Sequence, residues 1–205
     1  MRKNRLLLLA GVLLLAATAS AQDQEPSKAV MPMTPPGPLT DDLMQWMVGE
    51  WEGWSSTPVG KSQDWQKIEW ALDNQFLLIH FTGKTTEVNQ QARQAMAEAM
   101  KLSKADMDKM QNMVYKGMGT ITLNRMTGEV IASWFDNLRG VYTATGRREG
   151  NKLITIWPSP MGPETRTFEK ISDDKMVTTF KGKDFTGKDA EARGEYTRTK
   201  SALKN

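Results

Sequence analysis

From residue 50 onward the chain changes character every ten or so positions. Short runs rich in aromatic and β-branched residues alternate in polarity and are separated by clusters of Asp, Asn, Gly and Ser. Period-two alternation bounded by turn residues marks half-buried strands. The pattern predicts strands over 50–57, 63–72, 75–86, 115–123, 129–136, 140–148, 152–157, 165–171, 176–181 and 190–199. Turn chemistry separates them at Asp73-Asn74, Asn124 to Gly128, Glu149-Gly150-Asn151, Ser172-Asp173-Asp174 and Phe185 to Lys188. About ten short strands in succession argue for an antiparallel sandwich or barrel. A barrel is favoured because closure leaves no unpaired edge.

Two segments depart from this rhythm. Leu43, Trp46 and Met47 fall on one helical face, with Thr40 as the expected cap, Asp41 and Asp42 in the first turn and Gly49 as the stop. Residues 88–114 hold no Pro and, up to Val114, no Gly. Val88, Ala92, Ala95, Ala99 and Leu102 recur at helical spacing, and Ser103 with Asp106 forms a capping box for a second helix faced by Met107, Met110 and Val114. A helical hairpin inserted between two strands is expected, at one end of the barrel where it can cover the mouth.

The chain start is of another kind. Arg2, Lys3 and Arg5 precede the apolar run Leu6 to Ala16, and Ala19-Ser20-Ala21 offers a small-x-small cleavage site before Gln22. This order predicts a secretory signal peptide over 1–21 and a periplasmic or secreted mature protein. The apolar run is too short to span a bilayer, so no membrane span is expected. Residues 22–38 carry Pro26, Pro32, Pro35, Pro36 and Pro38 and predict an extended, disordered tether, followed by a single domain over 39–200. The leader removes three of the 27 basic residues and none of the 24 acidic ones, which leaves the mature chain formally neutral. Nucleic-acid binding needs a basic excess and is not expected. The chain has no Cys, which excludes disulfides, thiolate metal sites and a Cys nucleophile.

Candidate chemistry is sparse. Seven Trp residues are many for 205 positions. In a barrel some would line the interior, and Trp51, Trp70, Phe76, Trp134 and Tyr142, with Phe135, are the candidates for an aromatic pocket. Trp51 and Trp54 have opposite parity, so both cannot face inward without a bulge near Gly53. His80 is the sole histidine and lies in Phe76 to Phe81, a run apolar on both faces. It joins the lining candidates as a core or rim histidine, since no partner nearby in sequence would orient it as a haem ligand. Met107 and Met110, near Met96, Met100 and Met113, give soft thioethers that suit Cu(I). Their spacing walks around a helix, so a pliable apolar face is the plainer reading. Arg139, Arg147 and Arg166 form a carboxylate clamp only if they converge. Gly117-Met118-Gly119 lies in a predicted strand with no helix after it and is not a phosphate loop. No cofactor or metal is expected.

Gly49-x-Trp51 opens the first strand and Tyr196-x-Arg198 closes the last. First and last strands are neighbours in a closed barrel, so Trp51 can stack on Arg198, or on Arg193 as the alternative. This pairing resembles the calycin superfamily, which includes the lipocalins, and implies a cup closed at the Trp end. A closer resemblance covers most of 40–199. It rests on Leu43, Met47-Val48-Gly49-x-Trp51-x-Gly53, Leu72-Asp73-Asn74-Gln75-Phe76-Leu77, Gly119, Thr127-Gly128, Trp134-Phe135-Asp136 and Tyr196-x-Arg198. These residues resemble the bacterial family catalogued as domain of unknown function 1579, calycin-like and often secreted, with no established activity. Gly49, Trp51, Asp136 and Arg198 are its structural signature here. The long insertion at 88–114 and the tether at 22–38 depart from it.

Together these observations predict a mostly β chain: a calycin-like antiparallel barrel with a short N-terminal helix and an inserted helical hairpin. The expected function is a binding protein for a small hydrophobic or amphipathic ligand. The alternative is a protein–protein interaction module acting through the Met-rich hairpin, toward a protein partner or a second copy. No set of convergent titratable groups argues for an enzyme. Expression in a Gram-negative host is expected to yield a periplasmic protein whose first residue is Gln22. Intact mass and N-terminal sequencing check this, and a chain that keeps Met1 to Ala21 would overturn it.

Overall fold

The computed structural model describes residues 35–184 and 186–199, so the predicted signal peptide and most of the tether lie outside the described residues. Helix α1 (Asp42–Met47) leads into β1 (Gly49–Thr57), β2 (Gly60–Ala71) and β3 (Phe76–Val88). Helices α2 (Gln90–Met100) and α3 (Lys104–Asn112) follow, and then β4 (Val114–Leu123), β5 (Val130–Asp136) and β6 (Val141–Glu149). The chain continues through β7 (Lys152–Trp157), β8 (Glu164–Lys170), β9 (Lys175–Lys183) and β10 (Asp189–Arg198). Each strand pairs antiparallel with its sequence neighbours, and β1 pairs with β10, so the ten strands close into one barrel. Closure removes the unpaired edges that a sheet of this length would otherwise expose.

Turn residues set the corners. Leu72, Asp73 and Asn74 all carry positive φ in the β2–β3 turn, and Gly150 (φ 56) makes the β6–β7 corner. Asp and Asn tolerate this region because their short polar side chains bond locally, and Gly because it has no Cβ.

Helix α1 differs from the expectation in two details. Its cap is Asp41 rather than Thr40: the Asp41 carboxylate accepts from the Met44 N–H at 2.8 Å. Gly49 is not its stop. Val48 ends the helix, and Gly49 begins β1 at φ 141, where a β-carbon would collide with the Arg198 guanidinium.

This helix plugs one end of the barrel. Leu43, Met44 and Met47 are buried in one cluster with Trp51, Ile68, Leu77, Ile121, Val130, Leu153 and Met176, the inward residues at that end. Arg148 of β6 pairs with Asp41 at 2.6 Å and with Asp42 at the helix start. Arg198 of β10 holds the other end. Its Nη1 and Nη2 each donate at 2.5 Å, to Val48 O and Trp46 O, and its plane lies 4.1 Å over the Trp51 ring. Carboxylates at a helix N-terminus and a cation at its C-terminus both suit the helix dipole. Trp51 Nε1 donates to Met47 O at 2.8 Å, so the indole is stacked, hydrogen-bonded and fully buried. Arg193 instead pairs with Glu195 on the same strand.

Truncating Trp51 empties the centre of this plug. Trp51→Ala is expected to lose about 3–5 kcal/mol of stability. Arg198→Lys keeps the charge but not the fork, and is expected to lose about 1.5–3 kcal/mol. Urea unfolding followed by far-UV circular dichroism checks both, and an Arg198→Lys variant as stable as wild type would contradict the clasp.

Candidate functional site

Alternation along the strands puts one set of side chains inside, and the two ends of the barrel treat that set differently. At the α1 end the inward residues are sealed: Trp51, Leu77 and Val130 show 0% exposure. Toward the other end the inward residues of the barrel include Phe81, Tyr115, Trp134, Arg166 and Phe180, all only half-buried. Solvent therefore enters from the end away from α1, and the barrel is a cup with a hydrophobic floor.

One wall of the cup is aromatic. Phe81 meets Tyr115 edge-on at 6.0 Å and Trp134 edge-on at 6.2 Å between ring centroids. Trp134 Nε1 donates to the Tyr115 hydroxyl at 2.8 Å, and that hydroxyl donates to Asp136 Oδ2 at 3.3 Å. The other Asp136 oxygen accepts from the Leu138 and Gly140 N–H groups, so its charge is engaged by the following turn. The Trp134 indole lies flat on β4 because Gly117 and Gly119 leave room. A β-carbon at Gly119 would sit 2.6 Å from Trp134 Cε3, and one at Gly117 would overlap the ring. Burial raises the Tyr115 pKa, the Trp134 donation opposes this, and the Asp136 carboxylate adds to it, for a net rise.

The opposite wall combines aromatic and charged groups. Arg166 of β8 lies over the rings of Trp157 at 5.1 Å and Phe180 at 5.6 Å. Its Nη2 reaches Glu164 Oε2 at 3.4 Å. Trp157 Nε1 donates to Thr155 Oγ1 at 2.8 Å. A buried polar chain runs beside this wall: the Ser62 hydroxyl donates to Asp64 Oδ1 at 2.7 Å, and Tyr196 donates to Asp64 Oδ2 at 3.0 Å. Burial, reinforced by the Asp64 carboxylate, pushes the Tyr196 phenol far above the usual tyrosine value.

The structure brings some of the candidate residues into the cup and leaves others outside. Trp134 lies in the wall, and Tyr142 pairs with it across β5–β6 near the rim, about half exposed. Trp51 forms the floor. Trp70 also turns toward the floor, where its Nε1 donates to Gln45 of α1 at 2.9 Å. Phe76 and His80 alternate with buried Leu77 and Ile79, so both face the outer wall. His80 Nε2 lies 3.4 Å from Glu69 Oε1 there, not in a pocket. Phe135 and Trp54 are likewise outside and exposed. Met107 is buried and Met110 half-buried on α3, whose main packing against the wall is on β3. Arg93 joins α2 to α3 through Asp108 at 2.8 Å. The three arginines do not converge. Arg147 pairs with Glu149 on the outer face, Arg139 sits in the β5–β6 turn at φ 66, and Arg166 alone points inward.

Tyr115, Phe180 and Asp64 went unmarked in the sequence. Their signal is parity relative to buried neighbours, as Tyr115 shares a face with Gly117 and Gly119. An open groove of about 760 Å³ also exists on the outer wall, lined by Glu52, Trp54, Gln63 and Thr197. These four side chains face away from the cup, and no inward aromatic lines the groove. Among the described residues no cluster of three or more His, Asp or Glu side chains could hold a metal ion, and no helix is long and apolar enough to cross a membrane.

No family model and no curated protein matches the sequence. Solved structures align with it at low similarity. An S-type phycobiliprotein lyase from Guillardia theta aligns over 77% of this chain and 91% of its own, at 11% identity and a TM-score of 0.48. A protein of unknown function from Nostoc punctiforme, of the domain of unknown function 3598 family, aligns over 77% of this chain and 98% of its own, at 10% identity and a TM-score of 0.25.

The buried Tyr196–Asp64 pair makes stability depend on alkaline pH. A phenol whose pKa is raised by folding contributes stability that is intact below the unfolded tyrosine value, about 10, and lost as pH rises past it. The melting temperature is expected to fall above about pH 10. Tyr196→Phe, less stable at neutral pH, is expected to show a shallower alkaline decline. Equal slopes for the two proteins would contradict this.

Proposed function

We propose that the protein is an exported binding protein that holds a small hydrophobic or amphipathic ligand in the open half of the barrel. The observation that supports this most directly is the contrast between its two ends. Inward aromatics are sealed around α1 but stay half-exposed in the cup, although burying them would be worth about 1.5–3 kcal/mol for each large side chain. Apolar surface held open inside a rigid wall is surface for a guest. The wall is pre-formed, because Trp134 is fixed by Tyr115 and by the two glycines beneath it, so little ordering cost falls on binding. The basic, apolar and small-residue order of 1–21 supports export, and the resemblance to calycin-like secreted proteins supports a carrier role.

Titration with the neutral fluorophore N-phenylnaphthylamine tests the cup. Saturable fluorescence enhancement is expected for the mature protein. Trp134→Ala and Phe180→Ala are each expected to weaken it several-fold with the barrel still folded, in line with about 0.5–1.5 kcal/mol per aromatic contact. Absence of binding by wild type, together with a native mass spectrum that carries no dissociable extra mass, would overturn the reading.

A further inference from the structure

Among the described residues, the buried side-chain nitrogen left without any hydrogen-bond partner is Arg166 Nε. Its surroundings explain why this matters. The guanidinium is held between Trp157 and Phe180, which fix its plane but accept no hydrogen bonds in that plane. Its ion pair with Glu164 is a single contact at 3.4 Å, far from the bidentate geometry a guanidinium prefers. The side chain is 43% exposed, and that exposed part faces the cup. The other acidic groups of the cup are already occupied. Asp64 accepts from Ser62 and Tyr196, and Asp136 accepts from Tyr115 and two backbone N–H groups. Arg166 is therefore the inward charge whose partners are incomplete, and it stands on a wall that faces the Phe81, Tyr115 and Trp134 rings.

We propose that Arg166 anchors the ligand, and that the ligand is an anionic amphiphile: a flat or apolar body seated among the cup aromatics, ending in a carboxylate or similar oxyanion that takes the Nε and Nη2 edge of Arg166. Glu164 occupies part of that edge in the empty cup, and the ligand oxyanion displaces it. This inference rests on the cup being the binding site.

Two probes with one aromatic skeleton separate the anchor from the cup. N-phenylnaphthylamine is neutral, and anilinonaphthalene sulfonate carries an anion. Wild type is expected to bind both. Arg166→Gln, its fold checked by near-UV circular dichroism, is expected to bind the sulfonate about tenfold to hundredfold more weakly, the effect of losing a charge-assisted hydrogen-bonded pair. Its affinity for the neutral probe is expected to fall far less than its affinity for the sulfonate, since the aromatic walls supply that part of the binding. Glu164→Gln removes the competing carboxylate and is expected to tighten the sulfonate about threefold or more, a gain that a merely structural Arg166–Glu164 pair would not produce. Unchanged sulfonate affinity in Arg166→Gln, or equal losses for both probes, would overturn the anchor while leaving the cup in place. Failure of wild type to bind either probe would remove both.

Discussion

The fork between Arg198 and the carbonyls of Trp46 and Val48 is the constraint on which the rest of the barrel depends. A six-residue helix is too short to be stable alone. Here it is tied at its start by Arg148 and at its end by Arg198, and both ties come from strands. That arrangement presses Leu43, Met44 and Met47 into the barrel and gives the floor its hydrophobic depth. The guanidinium can reach the carbonyls only because Gly49 has no side chain in its path. Trp51 then stacks beneath the same guanidinium and donates back to Met47, so one cation organises a strand, a helix end and the last strand together.

Sealing one end lets the other remain open. The floor supplies the well-packed core that a domain of this size needs, so the upper wall does not have to collapse inward. Small residues at the inward positions of the upper strands, Gly83, Gly117, Gly119, Gly182 and Gly194, keep that wall thin. Large rings lie along the wall there instead of crossing the lumen. The polar chain of Ser62, Asp64 and Tyr196 is fully paired, and it adds polarity to the lining without leaving a buried group unsatisfied.

The strand pattern was legible because period-two alternation and turn chemistry agree. Strand ends lie within about three residues of those predicted, and the barrel closes as an antiparallel ring. Facing was less legible where both faces of a strand are apolar. In Phe76 to Phe81 the alternating sets are Phe76, Leu78, His80 and Leu77, Ile79, Phe81, and hydrophobicity alone does not choose between them. A shift of one residue exchanges the faces, and only the pairing with Ile68 and Gly119 decides that Ile79 points in. Tyr115 was hidden for a different reason: its neighbours on the same face are Gly117 and Gly119, which make no apolar stripe. Arg166 was visible as a charge, but sequence could not show that Arg139 and Arg147 lie elsewhere.

The meander has one seam. Nine of the ten strand ladders join segments adjacent along the chain, while the tenth, β1 with β10, pairs Trp51 near the start of the domain with Arg198 at its end. Loop-closure entropy therefore falls almost wholly on that junction. Hairpins can zip in order from either direction, but the hoop is complete only when the seam closes. Arg198 sits at that seam as its latch.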